Sequence, residues 1–158
     1  MGNEARPTAQ AASLLCVLDV GPAAASGLAP VDLAMSTAAA LDPDGVMEIV
    51  ASLEPQPLMD ELRAAGYAAQ ALRSDDGTWV ARVSRGRLPP FEDLTVLEPP
   101  LPLERVLLAC AALTRGAVYT AWLPRRPMLL FAHLDARALE WRAEDHPDGS
   151  ATLWVRKP

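Results

Sequence analysis

The sequence predicts an α+β chain built as two tandem two-layer βαβαββ sandwiches, each a four-stranded mixed sheet with two helices on one face. Three observations predict it. The text repeats itself at a spacing of about 70 residues: residues 39–67 run parallel to residues 111–138, with Gly45 set against Gly116 and Pro57 against Pro127. Each half also closes on an Asp-Gly turn ahead of an alternating strand, at residues 74–85 and 146–157. Between these features each half holds a β-rich apolar run next to a segment of helical periodicity, which is the composition of a sheet covered on one side.

In chain order, residues 1–13 read as an arm without an apolar pattern, and residues 14–86 as the first domain. LLCVLDV, residues 14–20, is its first strand. VMEIVASL, residues 46–53, is bounded by Gly45 before and a proline after, so it is the central strand. A helix follows from Pro57, where the missing N–H costs nothing, and it closes at Gly66, a residue suited to the left-handed C-terminal turn. RGRLPPF has the Gly/Pro content of a linker, placed at residues 87–90 with the boundary near Leu88; the second domain runs from 91 to 158. Its first helix carries Leu103, Val106, Leu107 and Cys110 at i, i+3, i+4 and i+7, a stripe that faces a sheet while Glu104 and Arg105 face water. AVYTAWL, residues 117–123, is the matching central strand, and Pro127 opens the last helix.

Composition narrows the function classes. The chain has 158 residues, 51% hydrophobic and 22% charged, enough for a buried core. A net charge of -6 opposes phosphate-backbone binding, so no nucleic-acid partner is expected. Lys157 is the sole lysine, and the arginine and alanine bias points to a high-GC bacterial genome. The N-terminus lacks a basic start followed by a long apolar run, and no segment has the length of a membrane helix, so a cytoplasmic address is expected. In a reducing cytoplasm Cys16 and Cys110, each among apolar neighbours, read as two buried free thiols and not as a disulfide.

The order βαβαββ, with LEPPLPLERVLLACAAL at the first helix of the second half and RRPMLLFAHL at the second, resembles the TusA-like fold. It is similar more closely to the uncharacterised branch of that fold, the domain of unknown function of DUF2249 type, and the resemblance covers one copy in each half. Sulfur carriers of the wider fold open the first helix with Cys-Pro-x-Pro. A cysteine there becomes a thiolate because oriented helix N–H groups lower its pKa, and a persulfide on it can pass sulfur on. In this chain the matching text is PPLP: Pro99 stands at the cysteine position, with Pro100 and Pro102 kept. In the first copy the stretch is GLAPVDL, residues 27–33, with Ala29 or a neighbour at that position. The resemblance also implies a setting in respiratory nitrogen or redox metabolism, where similar domains accompany haemerythrin-like proteins.

No nucleophile, base, metal set or phosphate loop can be picked out, so no catalytic residue, metal or cofactor is expected. His133 reads as a helix-surface or interface histidine, and His146 as part of a solvated hairpin loop. Arg125, Arg126, Pro127 and Met128 form the entry to the last helix, where positive charge beside free N–H groups suits a small anion; pairing of these arginines with Glu or Asp of the other copy is the competing expectation. Met128, Leu129, Leu130 and Phe131 are consecutive apolar residues on one helix, more than one sheet can cover, so extra cover is expected there: an interface with the first domain, a second chain in a homodimer, or a ligand pocket, the first being the cheapest because the linker is short. The expected role is a non-catalytic ligand- or partner-binding accessory module, its rival a sulfur-transfer or redox protein using Cys16 or Cys110.

Overall fold

Alternation of side chains along four strands sets up each half of the molecule. The computed structural model describes residues 13–20, 30–74 and 77–158. The arm expected over residues 1–13 falls, except for Ser13, outside the described residues, as does the stretch 27–29 at the first carrier position. The chain divides into two units, Met1–Leu88 and Pro89–Pro158. In the first, β1 (Leu15–Asp19), α1 (Pro30–Ala39), β2 (Val46–Ala51), α2 (Gln56–Ala64), β3 (Ala68–Arg73) and β4 (Trp79–Ser84) follow in sequence. The second runs β5 (Phe91–Asp93), α3 (Leu101–Ala111), β6 (Val118–Leu123), α4 (Met128–Ala136), β7 (Glu140–Asp145) and β8 (Ala151–Arg156).

Each unit has a four-stranded mixed sheet, ordered β1-β2-β4-β3 and β5-β6-β8-β7. The first strand pairs parallel to the central one, and the remaining pairs are antiparallel. In the first unit Met47, Ile49, Ala81 and Val83 turn one way and pack on Ala34 and Ala38 of α1 and Leu58, Met59 and Leu62 of α2. In the second, Tyr119, Ala121, Leu123, Leu153 and Val155 pack on Val106 and Cys110 of α3 and Leu130 and Leu134 of α4. The stripe read on α3 is therefore the buried one, with Leu103 and Leu107 half-buried at its margin.

A constant step relates the two units. Val46 and Val118 open the central strands, Gln56 and Met128 the helices after them, and Trp79 and Ala151 the last strands, 72 residues apart each time. This corrects the alignment read from glycine and proline alone. Pro127 corresponds to Pro55 and not to Pro57, and Gly116 to Asp44 and not to Gly45. A few shared residues leave a slip of one or two positions undetected; strand register does not, because a one-residue slip sends every side chain to the wrong face. The helix starts shift accordingly: Pro57 is the second residue of α2, while Pro127 caps α4 from just outside.

Both helices following the central strands end in a Schellman motif. The Tyr67 N–H donates to the Leu62 carbonyl at 3.1 Å and the Gly66 N–H to Arg63 at 3.0 Å; Leu139 donates to Leu134 at 3.1 Å and Ala138 to Asp135 at 3.0 Å. The motif needs a left-handed residue at its turn. Gly66 fills it in the first unit with φ +99°, but Ala138 sits at φ 58° in the second, its Cβ crowding the following carbonyl. Ala138→Gly is expected to raise the stability of the second unit by about 1 kcal/mol, and Gly66→Ala to lower that of the first by a similar amount. Chemical denaturation of the two variants reads both signs.

Candidate functional site

The start of α3 occupies the place where the resemblance expects a sulfur-bearing cysteine. Pro100 is the residue just outside the helix, Pro102 lies in its first turn and is buried, and Pro99 and Pro100 are exposed. Prolines suit these positions because they have no N–H to leave unsatisfied. The residue standing where the resemblance expects that cysteine is Pro99, a pyrrolidine without a thiol. Cys110 lies in the buried stripe near the other end of the helix, and burial pushes its thiol up to about 11, only partly offset by Arg137. Cys16 and Cys110 form no disulfide. Cys16 is half-buried, which corrects the expectation of full burial: β1 is an edge strand, so the β2 side alone is paired.

A polar cluster that sequence reading missed lies beside the same helix. Tyr119 of β6 donates its phenol to Glu92 Oε1 at 2.6 Å, and Arg105 of α3 donates from Nε to Glu92 Oε2 at 3.0 Å. The Arg105 and Tyr119 bonds hold the Glu92 carboxyl below its ordinary range, while burial and then Glu92 push the Tyr119 phenol well up. At neutral pH the cluster is thus a carboxylate, a guanidinium and a protonated phenol. In the first unit the same register holds Leu18, Leu33 and Met47. Arg105 was read as facing water, and its side chain is half exposed; Glu92 lies 13 residues away and Tyr119 another 14, a distance at which no local pattern signals pairing.

At the entry to α4 the two arginines differ. Arg125 is exposed. Arg126 is engaged: its Nη1 donates to the Ala143 carbonyl and to Asp145 Oδ1, each at 3.4 Å, and its guanidinium lies 5.5 Å from the Phe131 ring. Phe131 stacks on Trp141 at 4.0 Å, and the Trp141 indole N–H donates to Asp135 at 2.9 Å. Two early helix N–H groups are also in use, Met128 to the Arg126 carbonyl at 3.0 Å and Leu130 to Pro127 at 2.9 Å. Burial raises the neighbouring Glu144 carboxyl, and Arg126 draws it partly back.

The four consecutive apolar residues of α4 separate by face. Leu130 is in the core of its own unit and Phe131 is half-buried on Trp141, whereas Met128 and Leu129 are 66% and 82% exposed. His133 is exposed. His146 departs from the solvated loop expected of it: it is half-buried, with Nε2 at 2.6 Å from the hydroxyl of buried Thr152 and its ring edge-on to Trp122 at 5.9 Å. Among the described residues no three His, Cys, Asp or Glu side chains are grouped to hold a metal ion, and no helix is long and apolar enough to cross a membrane.

Residues 17–85, from within β1 to just past β4, match the family described as an uncharacterized conserved protein (DUF2249). The second unit, outside that match, has the same element order and the same sheet order. No curated protein and no solved structure matches the chain.

Proposed function

We propose that this chain is a non-catalytic binding module of bacterial cytoplasmic metabolism: a tandem pair of TusA-like domains, in the respiratory nitrogen or redox setting that the resemblance implies. The observation that carries this reading is the start of α3, where Pro99 and Pro100 stand at the helix entry and the helix's own cysteine is buried, its thiol pushed up to about 11 and so protonated at neutral pH. A sulfur carrier needs a thiolate within reach of its donor, and a protonated thiol inside the core offers neither charge nor access. The occupant that fits better is a protein and not a small anion. Arg126, which would supply half of an anion site, is already opposed by Asp145, and the first N–H groups of α4 are partly used, while Met128 and Leu129 are uncovered beside them.

The rival, sulfur transfer through Cys16 or Cys110, makes a different experimental forecast. Native protein treated at neutral pH with a thiol-labelling reagent, and separately with a persulfide donor, is expected to stay unmodified at Cys110 and to gain no sulfur by mass. Cys16, half-buried, is expected to label only slowly. Rapid labelling of either thiol, or a mass gain of one sulfur atom that passes to an acceptor thiol, would establish the rival.

A further inference from the structure

The last hairpin of each unit fixes which main-chain groups face out of its sheet. β3 and β7 each end the order of their sheet, paired to β4 and to β8. Ser74 donates its N–H to the Thr78 carbonyl, and His146 to Ser150, both at 2.8 Å. Bonded and non-bonded pairs alternate from there along an antiparallel ladder, so Leu72, Gln70 and Ala68 turn their main-chain groups to β4 while Arg73, Ala71 and Ala69 turn theirs away. In the second unit Glu144, Arg142 and Glu140 bond to β8, and Asp145, Ala143 and Trp141 face out. Such a row of outward N–H and C=O groups is a template for the strand of another molecule.

Arginine side chains sit on three of these outward carbonyls. Arg63, in the last turn of α2, donates to the Ala69 carbonyl from Nε at 3.2 Å and from Nη2 at 2.8 Å. Arg142 donates from Nη1 to the Trp141 carbonyl at 2.8 Å, and Arg126 from Nη1 to Ala143 at 3.4 Å. Ala69 and Trp141 hold the same place, second in their strands and 72 residues apart, yet different residues reach them. At the place of Arg63 the second unit has Asp135, and at the place of Arg142 the first has Gln70. The covered acceptor is common to both units and its donor is not, so the cover itself is what the two edges share. We infer that these arginines are edge guards: each holds a carbonyl that an added strand would need, and together they keep β3 and β7 from pairing with the strands of another copy of the chain. An incoming strand must break a charge-assisted bond and leave a guanidinium desolvated beside it. The guard matters most on β3. Residues 68–72 carry no charge, and at the place of Arg126 the first unit has Glu54, an acceptor; β7 has Glu140, Glu144 and Asp145 besides its arginine. The device serves either reading of the chain, since a binding module and a sulfur carrier alike must stay apart from their own copies.

Sedimentation of the full chain over a concentration series, with the thermal midpoint measured alongside, tests it. Arg63→Ala is expected to strengthen self-association over the wild type by about tenfold or more. Adding Ala71→Pro to that variant is expected to return association to the wild-type value. The Ala71 N–H faces out, so proline there removes no bond to β4 and blocks an incoming strand. Arg142→Ala asks the same of β7, with a smaller gain expected because the strand's other charges remain. An Arg63→Ala variant that gains no association overturns the inference, and a lowered midpoint in that case marks the arginine as a tie between helix and strand only. An association that Ala71→Pro leaves undiminished overturns it too, since it runs through another surface or an unfolded chain. So does a wild type whose own association Ala71→Pro abolishes, for that edge would be open with its arginine in place.

Discussion

Glu48→Ala is expected to destabilise the first unit by about 3–5 kcal/mol. Glu48 of β2 and Arg82 of β4 are directly opposed in the antiparallel ladder, and both point away from the helices. Their side chains are 0% and 1% exposed, with Arg82 Nε at 3.5 Å from Glu48 Oε2. Burial works against the charge on the guanidinium, and Glu48 supplies the main opposing field. Removing the carboxylate leaves a buried cation without its counter-charge, and that penalty, not the strength of the pair, sets the size of the loss. The second unit indicates the remedy. Its corresponding positions, Thr120 and Trp154, are also opposed in register and fully buried, yet carry no charge. The double variant Glu48→Gln with Arg82→Met is accordingly expected to recover most of the loss or to exceed the wild type. Chemical denaturation of the two single variants and the double one closes the cycle; a double variant as unstable as Glu48→Ala would show that the charges are indispensable.

What the sequence made legible was periodic. Helical stripes such as Val106 with Cys110, the alternation in the central strands, the Asp-Gly hairpins and the left-handed Gly66 each have a local signature, and together they specify two units of one element order. What stayed hidden depends on register. Glu48 and Arg82 are each a lone charge in an apolar strand that the sequence does not single out, and nothing local says that they face each other across 34 residues of chain. The cluster of Glu92, Arg105 and Tyr119 was invisible for the same reason, with an additional one: Arg105 lies on the wet side of its helix, where a solvated arginine is the ordinary expectation. At α4 the run from Met128 to Phe131 announced too much apolar surface without saying which residues were in excess. The structure resolves it, since the helix starts one residue later than the proline suggested, and that phase carries Leu130 inward and Leu129 outward.

That phase has a measurable consequence on stability. Leu134 is fully buried on the inward side of α4, touches the core of the second unit and accepts the bond that closes the helix's terminal motif. Leu134→Ala is expected to cost about 2–5 kcal/mol through lost apolar contact and the cavity left behind. In a chain of this length that corresponds to roughly 2–4 °C of midpoint per kcal/mol. Leu62, 72 residues earlier and equally buried in the first unit, is expected to behave alike when replaced by alanine. Leu129→Ala, five residues away on the same helix but 82% exposed, should change stability by less than about 0.5 kcal/mol. The contrast between Leu134 and Leu129 decides the orientation of α4 independently of any partner. If the two alanine variants melt at the same lowered temperature, the helix is turned differently on its sheet, with Leu129 no longer outward.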